Sequence, residues 1–249
     1  SDDLSLQSLV DIASGYAIKW SFNLSPDGKL AASFSFPQTI FEPAKNECKW
    51  TKYGYVCATV AEAKYFTTPP SGAIYQLPEG KLVTYLNANN LATRVYLGEF
   101  SPENAFLATM CSSSYYTLVQ LWKVEDGKVY RKLDALPDNG KHPGLDFSPD
   151  GTRIGMTIGG KLILWQWEQE TILWKTEGSF TELDFSPDGT LIVTGAEDGS
   201  VQLWLAEDGT LLATLLGHAH SVEHVAFSPD GILLTSLDSE GTLILWSLP

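Results

Sequence analysis

The sequence predicts an all-β fold built by repeating one small unit around a circle. Three observations carry the prediction. First, one turn recurs. Ser186-Pro187-Asp188-Gly189, Ser228-Pro229-Asp230-Gly231, Ser148-Pro149-Asp150-Gly151 and Ser101-Pro102-Glu103-Asn104 head four copies, and Ser25-Pro26-Asp27-Gly28 opens a fifth, irregular one. Proline presets φ, aspartate bonds its own backbone, and glycine takes φ > 0 without steric cost. Second, each of the four regular copies runs on to a tryptophan preceded by leucine. Trp122, Trp165, Trp204 and Trp246 follow one another at intervals of about 40 residues. Third, the copies consist of short strands joined by tight turns, as in Leu191–Thr194, the turn Glu197-Asp198-Gly199 and the strand Val201–Trp204. A repeat of that length made of short strands is a blade of a β-propeller. One blade cannot bury both faces of its sheet and must stack on neighbours.

The Phe-Ser-Pro-Asp-Gly turns followed by Leu-Trp resemble those of the WD-repeat β-propellers, over nearly all of the chain. The resemblance implies four-stranded antiparallel blades and a protein-interaction scaffold. It also implies structural roles for Trp122, Trp165, Trp204, Trp246, Asp198 and His218. Gly217-His218 matches the Gly-His pair of that family, whose histidine bonds an aspartate in the turn before the tryptophan; here the partner would be Asp238 or Glu240. The Trp-Asp dipeptide of the family reads Trp122-Lys123, Trp165-Gln166, Trp204-Leu205 and Trp246-Ser247, and Ala196 stands where a hydroxyl is usual. These departures leave the fold intact but weaken transfer of any particular partner.

In chain order, residues 6–12 align with the outer strand 211–215, so the N-terminal segment is expected to complete the blade left open by residues 222–248 and close the ring. The first blade takes residues 18–24 and 29–35 as its inner strands. An excursion over residues 36–71 then breaks the pattern, and Gly72–Leu77 aligns with Gly199–Trp204 without its tryptophan. Residues 79–86 form the outer hairpin. Blades follow at 93–133, 144–174 and 180–215, the third with the short turn Ile158-Gly159-Gly160-Lys161. This gives five blades in one domain over residues 1–249. The alternative is a degenerate sixth blade inside the excursion, which the spacing from Ser25 to Ser101, near two repeats, supports. No Ser-Pro-Asp-Gly turn lies inside it, and the chain from Trp50 to Tyr55 leaves too little room for an outer strand.

Net charge is −14, from 16 Lys plus Arg against 30 Asp plus Glu. That surface repels phosphate backbones and anionic membranes, which argues against nucleic acid and membrane partners. No apolar run reaches a membrane span. A monomer that binds a protein or peptide is the expectation. Phe36, Phe41, Trp50, Tyr53, Tyr55, Tyr65 and Phe66 concentrate aromatic residues in the excursion, as binding hot spots do; a small satellite core is the competing account. Cys48 and Cys57 face two readings. A disulfide would pin an exposed hairpin and place the chain in a secreted, periplasmic or cell-surface compartment; two thiols in a cytosolic loop are the other. Cys111 is expected as a buried free thiol.

Catalytic and cofactor chemistry find little support. His218, His220 and His224 cluster, but without an acid at fixed spacing a metal site gives way to structural bonding. Asp27, Asp150, Asp188 and Asp230 each follow Ser-Pro and are expected as turn formers. Nucleophile elbows, zinc-protease helices and phosphate-cradling loops are absent from the sequence. Asn23-Leu24-Ser25 formally matches a glycosylation acceptor but lies in an inner strand before Pro26. A small-ligand or catalytic role for a central channel would need polar residues on the innermost strands, where Leu183, Phe185, Val222, Val225 and Phe227 suggest apolar packing. A third reading is a sensory or structural module of a larger protein.

Overall fold

A computed structural model describes residues 21–35, 39–42, 48–51, 54–57, 64–67, 71–76, 81–87, 94–112, 116–137 and 144–248. Every regular element among them is a strand. The first sheet is β1 (Ser21–Leu24), β2 (Leu30–Ser35), β7 (Ser71–Gln76) and β8 (Lys81–Asn87). Between β2 and β7 lie β3 (Thr39–Glu42), β4 (Cys48–Thr51), β5 (Gly54–Cys57) and β6 (Lys64–Thr67). The second sheet is β9 (Arg94–Phe100), β10 (Phe106–Ser112), β11 (Tyr116–Lys123) and β12 (Val129–Pro137). The third is β13 (Gly144–Phe147), β14 (Arg153–Ile158), β15 (Lys161–Gln166) and β16 (Thr171–Glu177). The fourth is β17 (Phe180–Phe185), β18 (Leu191–Ala196), β19 (Ser200–Leu205) and β20 (Leu211–Leu216). The fifth has three described strands, β21 (Val222–Phe227), β22 (Leu233–Asp238) and β23 (Leu243–Ser247). All pair antiparallel in chain order, and the inner strands pack β1 on β9, β9 on β13, β13 on β17 and β17 on β21. This is a five-bladed propeller arrangement.

The recurring turn works harder than its residue types suggest. In each Ser-Pro-Asp-Gly copy the serine hydroxyl donates to the aspartate, for example Ser186 Oγ to Asp188 Oδ1 at 2.6 Å. The same Oδ1 accepts the Thr190 N–H at 3.0 Å, and the serine Oγ accepts the Leu191 N–H at 2.9 Å. One serine–aspartate pair thus satisfies three donors while starting the next strand. Gly189 has φ +69° and a Cβ there would meet nothing closer than 3.4 Å, so conformation rather than space demands glycine. In the second sheet Asn104 holds that place at φ 61°, the residue best able to stand in for glycine there.

Alternation along the third strand of each sheet builds the core. Trp122, Trp165 and Trp204 turn back into clusters shared with the preceding sheet, and Trp246 packs against another. The residue just before each, Leu164 or Leu203 for instance, turns forward into the cluster shared with the following sheet. Apolar cores therefore lie between sheets, at roughly 25 cal/mol per Å² of buried apolar surface. Close approach shapes the seams as well: a Cβ on Gly155 would come within 2.7 Å of the Leu183 side chain in the next sheet.

Two readings of the sequence are refined, and a third falls outside the described residues. The register places Ala31 opposite Tyr75, just as Ile192 lies opposite Trp204. Tyr75 therefore occupies the tryptophan position of the first sheet, two residues earlier than matching glycines suggested. The excursion pairs β3 with β6 and β4 with β5, as nested ribbons rather than a four-stranded sheet. Residues 6–12, expected to complete the fifth sheet, lie outside the described residues; β23 forms its outer edge as described. Leu243 and Leu245 there are 66% and 61% exposed, whereas Val201 and Leu203 at the same places in the fourth sheet are 0% and 8% exposed.

Candidate interaction surface

Every sheet has two ends. The Ser-Pro-Asp-Gly turns and the third-to-fourth-strand turns share one. The second-to-third-strand turns and the crossings to the next sheet share the other. The excursion joins β2 to β7, which are the second and third strands of their sheet. Topology therefore puts its root at the second end. Phe41 on β3 pairs with Tyr65 on β6, Ile40 with Phe66, and Trp50 on β4 with Tyr55 on β5. Phe36 and Tyr53 lie outside the described residues. In the same ladder Cys48 and Cys57 are direct cross-strand partners.

At this end a groove of about 470 Å³ opens between the third and fourth sheets, lined by Glu177, Ser179, Phe180, Glu197, Asp198 and Gln202 among others. Asp198 and Glu177 in its lining are held ionised. The Ser200 hydroxyl and backbone N–H both donate to Asp198 Oδ1, at 2.6 and 2.9 Å, and draw its carboxyl below the usual range. Lys161 does the same for Glu177 through a 2.7 Å contact. The floor is apolar, because Phe180 is buried edge-on against Trp204. An anionic groove over an aromatic floor suits a cationic side chain with an aliphatic stem.

The histidines are arranged for structure. His218, its side chain fully buried, places Nδ1 3.1 Å from Asp238 and Nε2 2.6 Å from the Ser236 hydroxyl, and Trp246 Nε1 donates to that same hydroxyl at 2.8 Å. His224 Nδ1 lies 3.0 Å from Glu182. Among the described residues no group of three or more His, Cys, Asp or Glu is arranged to hold a metal ion. Hydroxyls also meet Trp122, from Thr109 at 2.8 Å, and Trp204, from Thr194 at 3.1 Å. Register equates Thr194 with Ser236 and Ala196 with Asp238. The fourth sheet thus keeps its hydroxyl at Thr194 and lacks the acid, which corrects the assignment of the missing hydroxyl to Ala196. Asp198 caps its own turn instead.

The innermost strands are not purely apolar. Two residues before each Ser-Pro stand Asn23, Glu99, Asp146, Asp184 and Ala226. Asn23, Asp146 and Asp184 reach forward to the next sheet. Asn23 Nδ2 donates to Glu99 at 2.7 Å, which ties the side chain into the seam. The Phe185 N–H donates to Asp146 at 3.0 Å, and the Phe227 N–H to Asp184 at 2.6 Å. Glu182 accepts the Val225 N–H at 3.1 Å. Reading each strand for its apolar residues missed these acids; the fixed offset from Ser-Pro was the available signal.

Residues 170–204 and 209–247 match the WD domain, G-beta repeat family. Each matched unit begins at the outer strand of one sheet and ends on the third strand of the next. A segment of 77 residues, 30% of this chain, is 30% identical to the periodic tryptophan protein 2 homolog of Mus musculus and covers 8% of that protein's length.

Proposed function

We propose that the chain, whose residues 170–204 and 209–247 match the WD domain, G-beta repeat family, is a non-enzymatic scaffold that binds a basic segment of a protein partner at the end of the sheets bearing the excursion. The anionic groove between the third and fourth sheets carries this reading. Net charge of −14 favours a cationic partner by long-range attraction. The aromatic pairs of the excursion supply residue types that anchor interfaces. Catalysis forms no part of the proposal: the inner-strand acids are engaged by backbone N–H groups of neighbouring sheets.

Binding of Lys/Arg-rich and charge-neutral peptide arrays to wild type, to E177Q/E197Q and to a chain with residues 39–67 replaced by a short turn tests the proposal. Salt-sensitive selection of basic peptides, lost in E177Q/E197Q, is the expected result. Equal retention of basic and neutral peptides by wild type would overturn the groove assignment. Undiminished binding by the shortened chain would remove the excursion from the surface. A subsidiary proposal concerns Cys48 and Cys57. Opposite residues in an antiparallel ladder have Cα atoms about 4.5–5.5 Å apart, within disulfide reach, and we propose that the two are bridged.

A further inference from the structure

The outer edge of the fourth sheet differs from its counterparts. Among the described residues no strand pairs with the far side of β20, so alternate backbone N–H and C=O groups of that strand point outward. Edges of this kind are usually guarded by charge or proline. The other outer strands carry such guards: Lys81 on β8, Lys132 and Pro137 on β12, and Lys175 and Glu177 on β16. β20 reads Leu-Leu-Ala-Thr-Leu-Leu, with neither. Leu211, Leu212 and Leu216 on it are exposed, and Leu216, at 78%, is the most exposed large apolar side chain among the described residues.

Register sets this edge beside the groove. Val201 and Leu203 face the fifth sheet, so Ser200, Gln202 and Trp204 face the third. Thr214 lies opposite Gln202, and Leu216 opposite Ser200. The two therefore continue the groove's face outward from Gln202, one of its lining residues. Ala213 and Leu215 turn the other way, into the seam with the fifth sheet. Outward of Gln202 the face thus changes from acid-lined to uncharged and apolar.

We propose that the basic segment lies extended along β20 as an added strand, with a lysine or arginine reaching over Thr214 into the groove and an apolar side chain two residues away on Leu216. This mode of binding rests on the groove being a site for basic segments. Main-chain pairing supplies affinity in strand addition, and the side chains of one face supply selection. Strands lie about 4.8 Å apart, so a long cationic stem on the added strand spans Thr214 to the groove's rim. Glu177, its side chain 84% exposed at that rim, meets the incoming cation; its ion pair with Lys161 lies at the surface and exchanges readily. A second copy of this chain, pairing β20 with β20, would bring together two molecules of net charge −14 and offer the groove no cation from that strand.

The test uses the full chain and the peptide Thr-Lys-Thr-Val-Thr-Lys-Thr, which puts lysine and valine on one face of a strand. With the peptide saturating, the outward-facing amides of β20 should exchange hydrogen at least tenfold more slowly. An analogue N-methylated at each residue keeps the charges but cannot donate, and should bind at least tenfold more weakly. Leu216→Ser should weaken binding of the parent peptide about threefold or more. Equal binding of the N-methylated analogue, unchanged exchange of β20 in the bound chain, or undiminished binding by Leu216→Ser overturns strand addition and leaves the assignment of the groove standing. Equal binding of a peptide with glutamine in place of lysine, or no binding of the parent peptide at about 1 mM, overturns both.

Discussion

Trp165 buries its indole N–H without an acceptor among the described residues, whereas Trp122, Trp204 and Trp246 each meet a hydroxyl. The cause is one residue. Thr109, Thr194 and Ser236 occupy a common register place on the second strand, and Met156 takes that place in the third sheet. An orphaned buried donor costs about 1–3 kcal/mol. Thr194→Val, which keeps volume and removes the acceptor, should therefore destabilise by about 1–2 kcal/mol, read as a lower urea midpoint at unchanged slope. Gly189→Ala offers the contrasting case. The site has room for a methyl group, so only the left-handed backbone opposes it, at about 1–2 kcal/mol.

At the scale of the element, the excursion is the part least supported by its own chemistry. A two-stranded ribbon is marginal in water, and β4 with β5 makes only such a ribbon. A Cys48–Cys57 bridge would remove open conformations from the unfolded ribbon. Intact mass after alkylation should then show both residues protected until reductant is added. Ready labelling of both without reductant would exclude the bridge and, with it, the argument for an oxidising compartment. Cys111 serves as an internal control. It is buried on β10 and its thiol is pushed up to about 11, so it should resist alkylation until the chain unfolds.

Across the whole molecule, two sets of acids act in opposite directions. The turn aspartates, Asp27 among them at about 2, are held low chiefly by backbone and serine donors. Their contribution is present above about pH 4 and is lost as pH falls through their folded values. The inner-strand acids Glu99, Asp146 and Asp184 are raised chiefly by burial, so they lose theirs as pH rises through their folded values. Thermal unfolding should therefore show a maximum on the mildly acidic side of neutrality rather than a plateau through pH 8. The last sheet provides a second whole-molecule test. With Leu245 exposed as described, Leu245→Ala should change stability by less than about 0.5 kcal/mol, while Leu203→Ala costs about 2–5 kcal/mol. A cost at Leu245 as large as that at Leu203 would mean that this face is covered in solution, as a ring closed upon the first sheet would cover it.

Repetition was readable directly from the chain. Ser-Pro-Asp-Gly specifies a turn through bonds that reach no further than five residues, and alternation before each tryptophan specifies strands, so five sheets and the seams between them followed from local chemistry. The family resemblance pointed His218 to Asp238 or Glu240, and the bond is to Asp238. Three things depended on which strand lies beside which in space. Tyr75 replaces a tryptophan only in register, not in motif. Trp165 lacks an acceptor because Met156 holds the register place that Thr109, Thr194 and Ser236 take in other sheets. Asp146 and Phe185 lie 39 positions apart in the chain, yet Asp146 accepts the Phe185 N–H because successive sheets stack their inner strands. Pairing across a sheet and burial between sheets are long-range, and no window of neighbouring residues contains them.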